Sequence, residues 1–292
     1  MKEKLSAPAL RAAKGTGRRL KMVTAYDYPS AVLADRAPID IILVGDSLGN
    51  NVLGYAGTVQ VTMADMLSHL RAVVRGAAHT LIVADMPFGS YNVSPEQAIE
   101  NANLLVKAGA DCVKLEGGVA FAATVRALTH AGVPVMGHTG LMPQTLPPSA
   151  WKVQGRDAAS ARGIMYDAAS LEEAGACALV LEAVPARLAA HITAQVAIPT
   201  IGIAAGPDCD GQVLVWHDLL GLTEGHGRHV KRYANLGETI AGALTEYCAE
   251  VDAGAFPTEE HSYKMKADEL AAAVRAMCEG RTAPPPQAPS EA

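Results

Sequence analysis

Short apolar runs alternate along this chain with longer stretches whose apolar residues recur at helical spacing. The short runs predict eight strands: 21–27 (KMVTAYD), 39–46 (IDIILVGD), 81–86 (LIVADM), 112–117 (CVKLEG), 133–138 (VPVMGH), 177–182 (CALVLE), 198–203 (IPTIGI) and 213–217 (VLVWH). Helical patterns at 62–75, 94–108, 119–131, 157–174 and 185–196 lie between most of them. The stretch near 94 opens with Ser94-Pro95-Glu96-Gln97, which predicts a capping box with proline in the first turn. Gly109, Gly132 and Gly175 stand where three helices should stop before the next strand. Eight strand–helix units in about 250 residues predict an α/β chain folded as a single-domain (β/α)8 TIM barrel over 21–263. A doubly wound sheet would call for fewer strands and a G-x-G-x-x-G turn, and no such turn is present. Residues 1–20 read as a short basic lead-in helix, and 264–292 as a C-terminal helix followed by a flexible Pro/Ala-rich tail.

Composition sharpens this picture. Half of the 292 residues are hydrophobic but only 4% are aromatic, so the apolar content is Ala, Val, Leu and Ile, as buried parallel strands require. The formal charge of −6 argues against nucleic acid as a partner. No apolar run approaches the roughly 18 residues of a membrane span. The N-terminal stretch is basic without an apolar block, unlike a secretory signal. Five dispersed cysteines without CxxC spacing suggest reduced, buried thiols in a cytoplasmic protein.

The C-terminal ends of barrel strands face the active site, so polar residues there carry the chemistry. Asp27 ends the first strand, Asp46-Ser47 the second and Asp85 the third. Lys114 and Glu116 lie on one face of the fourth, His138 ends the fifth, Glu182 the sixth and His217-Asp218 the last. Each acid follows an apolar run, where an unpaired carboxylate is costly. Asp46, Asp85 and Glu116 fall on neighbouring strands about 4.8 Å apart. They would repel one another without a cation between them, and an all-oxygen set suits Mg²⁺. Glu182, toward the opposite wall, is a candidate base separate from that group. His138 reads equally well as a core histidine or a substrate contact. His226 and His229 sit in a Gly-rich loop, where solvation is the simpler reading than zinc. Asp208-Cys209-Asp210-Gly211 starts like a calcium loop but lacks the later ligands, and the turn of Gly202, Gly206 and Pro207 has no basic residue to support a phosphate.

These residues resemble those of the ketopantoate hydroxymethyltransferase family. The resemblance is carried by TAYDYPSA (24–31), LVGDSLG (43–49), ADMPFGSY (84–91), VKLEGG (113–118), GHTGLMPQ (137–144), KVQGR (152–156), LVLEAVP (179–185), IGIAAG (201–206), DGQVLVWHDLLGL (210–222) and FPTEEHSY (256–263), in order. It implies a Mg²⁺-dependent TIM barrel that transfers a hydroxymethyl group from 5,10-methylenetetrahydrofolate to 3-methyl-2-oxobutanoate, giving 2-dehydropantoate on the route to coenzyme A. It implies Asp46, Asp85 and Glu116 as metal ligands, and Ser47, Asp85 and Lys114 as keto-acid contacts joined by Asp46 and His138. Glu182 would be the proton acceptor. It also implies a large homo-oligomer, a decamer in this family. A C–C lyase of the isocitrate lyase/phosphoenolpyruvate mutase kind is the competing reading. It calls for a catalytic cysteine after a middle strand, whereas Cys112 and Cys177 open strands. The chain departs from the family pattern at Ala204 and Pro207 and in the loop 146–151.

Overall fold

The computed structural model describes residues 3–223 and 227–279. All eight expected strands form: β1 (Leu20–Thr24), β2 (Ile41–Val44), β3 (Leu81–Asp85), β4 (Cys112–Glu116), β5 (Val135–Gly140), β6 (Ala178–Glu182), β7 (Thr200–Ile203) and β8 (Gly211–Leu214). They are parallel and close in sequence order into one barrel, β8 pairing with β1. The lead-in is α1 (Ala7–Ala12), and the connecting helices begin with α2 (Tyr28–Arg36), α3 (Leu48–Asn51) and α4 (Met63–Gly76). They continue with α5 (Pro95–Lys107), α6 (Ala122–His130), α7 (Ala158–Glu173) and α8 (Ala186–Gln195), and α9 (Trp216–Leu220) follows the last strand. Residues to Leu236 make one compact unit, and those from Gly237 a second that holds α10 (Leu236–Asp252) and α11 (Ala267–Glu279). His226 and the tail from 280 lie outside the described residues.

Two expected strand ends are corrected. The eighth strand runs from 211 to 214 rather than 213 to 217, and His217 lies in the short helix α9. The first stops at Thr24, and Asp27 is the N-cap of α2, where its side chain accepts from Ser30 N at 2.8 Å. An aspartate three residues before a serine reads as a helix start, and that short-range bond overrides strand propensity. The capping box at 94 is half present. Ser94 Oγ accepts from Gln97 N, but Gln97 Oε1 turns to Val93 N and leaves the Ser94 amide. Reciprocal boxes form instead at Asp27, Thr62 and Asp157. The three glycines at helix ends do adopt left-handed backbone, with φ between +84° and +109°.

Period-two alternation sorts the wall into two faces. Outward residues such as Val23, Ile42, Ile82, Val113 and Leu179 pack against the helices. Inward residues Leu20, Met22, Ile41, Leu43, Leu81, Val83, Cys112, Met136, Val180 and Ile201 fill the lower barrel. Helix α1 closes its floor: Leu10 is fully buried among the inward residues. Salt bridges tie this N-terminal segment to strand starts, Lys4 to Asp111 at 2.7 Å and Lys14 to Asp210 at 2.8 Å. Asp210 also accepts from Thr200 N at 2.8 Å, so the segment that begins like a calcium loop serves as a structural tie.

No helix connects β7 to β8; residues 204–210 return the chain directly. Ala204, one of the departures from the family pattern, has φ +53°, and Ala183 after Glu182 has φ +49°. Left-handed backbone costs an alanine about 1–2 kcal/mol, partly offset by the entropy that glycine would lose on folding. Ala204→Gly should therefore raise stability by about 0.5–1 kcal/mol in urea denaturation. A loss of stability would show that the alanine is not strained there.

Candidate active site

Beyond the apolar layers the same inward register turns polar. Leu81 and Val83 are followed by Asp85, Cys112 by Lys114 and Glu116, Met136 by His138, and Ala178 and Val180 by Glu182. Strand pairing sets Asp85 beside Lys114 and Glu116 beside His138. Asp46 arrives differently. β2 ends at Val44, two residues short of the expected limit, and Asp46 lies in the turn that follows. Gly45 makes this turn possible, since a Cβ there would meet Ser47 Oγ at 2.8 Å. Gly140, at φ +100°, brings β5 against β6, because a Cβ would meet the carbonyl oxygen of Glu182 at 2.3 Å.

Asp46, Asp85, Lys114, Glu116 and His138 are all buried, with 5% exposure or less. Lys114 Nζ lies 2.8 Å from Asp85 Oδ1 and 3.5 Å from His138 Nδ1. Asp85 Oδ2 accepts from the Asp46 amide at 3.0 Å. His138 stands between two acids, with Nδ1 3.5 Å from Glu116 Oε1 and Nε2 3.2 Å from Glu182 Oε2. The second contact is close but not aligned as a hydrogen bond. Glu182 is thus connected to the acid group through His138 rather than separate from it. At 23% side-chain exposure it is the most open of the four carboxylates.

Three further residues complete the site, and sequence reasoning gave them no role. Tyr26 OH lies 2.9 Å from Ser47 Oγ. Gln144, 3% exposed, donates from Nε2 to Asp46 Oδ2 at 2.8 Å and from its backbone amide to Glu116 Oε2 at 2.9 Å. Tyr91 OH donates to Gln144 Oε1 at 2.5 Å. All three lie in quoted family segments. Tyr91 and Gln144 fall outside the expected strands, and Tyr26 falls inside the expected strand 21–27 but beyond the observed end of β1 at Thr24.

Burial raises the Asp46 pKa well above the usual carboxylate range, with help from the charges of Asp85 and Glu116. Burial works against the Lys114 ammonium, but Asp85, Glu116 and Asp46 outweigh it and hold the lysine charged. Burial and the nearby Lys114 also oppose the His138 imidazolium, yet its contacts with Glu116 and Glu182 prevail and lift the pKa to about 9. Burial pushes the Tyr26 hydroxyl up to about 12.

The donor set suits a hard cation. The acids supply oxygen only, and one of them, Asp85, already holds a cation, the Lys114 ammonium, 2.8 Å from its Oδ1. Among the described residues no three Asp, Glu, His or Cys side chains already stand as a ready metal cage.

Fold and site define a TIM-barrel enzyme that works with buried acids and a lysine at the C-terminal rim. A family model described as ketopantoate hydroxymethyltransferase matches residues 4–259, and the chain belongs to that family. A 3-methyl-2-oxobutanoate hydroxymethyltransferase of Moorella thermoacetica is 56% identical over 90% of this chain and 99% of its own. The enzyme of that name from Heliobacterium modesticaldum is 54% identical, over 91% and 97%. The chain is accordingly a hydroxymethyl-transferring enzyme. Among solved structures, phosphonopyruvate hydrolase in complex with oxalate and Mg²⁺ superposes with a TM-score of 0.58 at 16% identity, over 95% of this chain and 99% of that one. A 2,3-dimethylmalate lyase of the PEP mutase/isocitrate lyase superfamily gives 0.57 at 16%, over 94% and 96%. At such identity these two share the fold. The lyase reading also lacks its cysteine at the expected place: Cys112 and Cys177 are buried in the lower barrel, their Sγ atoms 3.8 Å apart.

The histidine contacts make a pH prediction. The folded-state pKa of His138 is raised to about 9 from the usual 6.5. Its stabilising contribution is complete below about pH 6.5 and is lost as pH rises through about 9. An NMR titration of the ring in EDTA-treated protein should give a midpoint near 9, lowered in Glu182→Gln. A midpoint at or below 6.5 would refute the pairing.

Proposed function

We propose that this enzyme transfers the one-carbon unit of 5,10-methylenetetrahydrofolate to 3-methyl-2-oxobutanoate, forming 2-dehydropantoate for pantothenate and coenzyme A synthesis, with Mg²⁺ held by Asp46, Asp85 and Glu116. The names of the curated relatives support the reaction. A related barrel crystallised with Mg²⁺ and oxalate, a two-oxygen chelator, lends support to the metal. The observation that carries the mechanism is Glu182, a carboxylate 23% exposed at the end of an otherwise buried array.

When bound, the ion supplies Lewis acidity that stabilises negative charge on the keto oxygen. The chain's own groups do the rest. Lys114, held charged, adds a second positive centre beside that oxygen. Ser47, oriented by Tyr26, and Asp85 bind the keto acid. Glu182 takes the C3 proton, and His138 holds it in place from Nε2. Water opens the methylene bridge of the folate, and both C–N bonds break. Tetrahydrofolate leaves with its two N–H groups restored and the one-carbon unit at the oxidation level of formaldehyde. The deprotonated C3 attacks that carbon, and its oxygen takes the proton back to become the product hydroxyl, so C3 proton removal itself does not require the folate.

Exchange of the C3 proton in D₂O, with Mg²⁺ and keto acid but no folate, tests this directly by the loss of the methine signal in proton NMR. Glu182→Gln should slow exchange by about 10²–10⁴-fold while leaving substrate binding in place. Exchange at the wild-type rate would remove Glu182 as the base.

We further propose a homo-oligomer. Ile240, Leu244, Tyr247 and Val251 recur along α10 at one-face spacing and are 44–59% exposed. A stripe of this kind is an association surface. Among the described residues no helix is long and apolar enough to cross a membrane. Five unpaired cysteines suit a reducing compartment, the cytoplasm. Light scattering at micromolar concentration should give a mass well above 30.3 kDa, falling in Leu244→Asp. A wild-type monomer would overturn the assignment.

A further inference from the structure

Asp46 and Glu116 each have one oxygen held by Gln144, and Asp85 has one held by the Asp46 amide and the other paired with Lys114. Asp46 Oδ2 accepts from Gln144 Nε2 at 2.8 Å, Glu116 Oε2 from the Gln144 backbone amide at 2.9 Å, and Asp85 Oδ2 from the Asp46 amide at 3.0 Å. The remaining oxygens of Asp85 and Glu116 face nitrogens, Asp85 Oδ1 at 2.8 Å from Lys114 Nζ and Glu116 Oε1 at 3.5 Å from His138 Nδ1. Two of the three hydrogen bonds come from one residue.

We propose that Gln144 is a positioning residue that presents Asp46 and Glu116 as one-oxygen donors and thereby selects Mg²⁺ over Ca²⁺ at this site. This rests on the metal assignment of the proposed function. The Gln144 amide has one workable orientation. Nε2 donates to Asp46 Oδ2 and, at 3.0 Å, to the Met86 carbonyl, while Oε1 accepts from Tyr91 OH. Reversed, its oxygen would face two acceptors. Turning it out breaks three hydrogen bonds of a side chain that is only 3% exposed. Tyr91 is fixed in turn by Phe121, whose ring meets it edge-on at 5.2 Å, and by the Glu116 backbone.

The chemical consequence follows from ion size. Mg²⁺ demands short, near-octahedral contacts and takes one oxygen from each carboxylate. Ca²⁺ is larger and accepts both oxygens of one group. Pinning Asp46 Oδ2 and Glu116 Oε2 removes the two-oxygen mode that would favour Ca²⁺. A residue that merely secured the loop would change the affinity for both ions together.

Calorimetric titration of the full-length, metal-free protein with MgCl₂ and with CaCl₂, without substrate, separates the two roles. Gln144→Met keeps the side-chain length and the backbone bond to Glu116 but frees Asp46 Oδ2. Mg²⁺ should bind about 10–100-fold more weakly, the usual consequence of losing a ligand's hydrogen-bond partner. Ca²⁺ binding should be unchanged or tighter, so the Mg²⁺:Ca²⁺ affinity ratio falls by about tenfold or more. Tyr91→Phe leaves the amide but removes its anchor, and the ratio should fall less, in the same direction. It decides the matter if circular dichroism shows that Gln144→Met does not fold. A wild-type ratio in the folded variants, including equal weakening of both ions, overturns the proposal and leaves the reaction standing. Failure of the wild-type protein to bind Mg²⁺ overturns both this inference and the metal assignment.

Discussion

The ion pair between Lys114 and Asp85, 2.8 Å apart inside the barrel wall, is the contact on which the site depends. Both side chains are buried, and a buried charge without its partner costs several kcal/mol. Removing the lysine would strand a buried carboxylate already crowded by Asp46 and Glu116. The ammonium offsets part of the negative charge gathered here, while burial still raises the Asp46 pKa. The surrounding structure serves this balance: Gln144 meets the acids from above, His138 links Glu116 to Glu182, and Tyr91 and Tyr26 anchor the edges.

Such an array is tolerable because the barrel divides its interior by height. Apolar side chains fill the lower layers and supply the burial that stabilises the wall, while the polar residues occupy the last inward position or two of β3 to β6. Strands of four to six residues leave few inward positions, so the change from Val83 to Asp85, or from Val180 to Glu182, is abrupt. Strain gathers at the same end: Ala183 follows Glu182 in left-handed backbone, held by its amide bond to the Ile203 carbonyl and by Gln154.

This division explains what was legible in the sequence. Strand alternation is a strict two-residue rhythm, so Asp85, Lys114, Glu116, His138 and Glu182 could be read as inward residues without coordinates. Asp46, Tyr26, Tyr91 and Gln144 sit in turns and loops, where side-chain direction depends on tertiary contacts rather than on any period. Asp46 was found because it follows an apolar run. Gln144 was not, because nothing local distinguishes it from a solvated loop glutamine. The eighth strand slipped for a related reason: Val213-Leu214-Val215-Trp216 is apolar throughout, and only the bond from the Trp216 amide to Thr24 Oγ1 marks where the chain leaves the sheet.

The sealed floor has a consequence for traffic. With α1 seated across the strand starts and Leu10 buried among them, apolar side chains close the barrel beneath the acids, and whatever reaches these acids comes from the side of the strand C-termini.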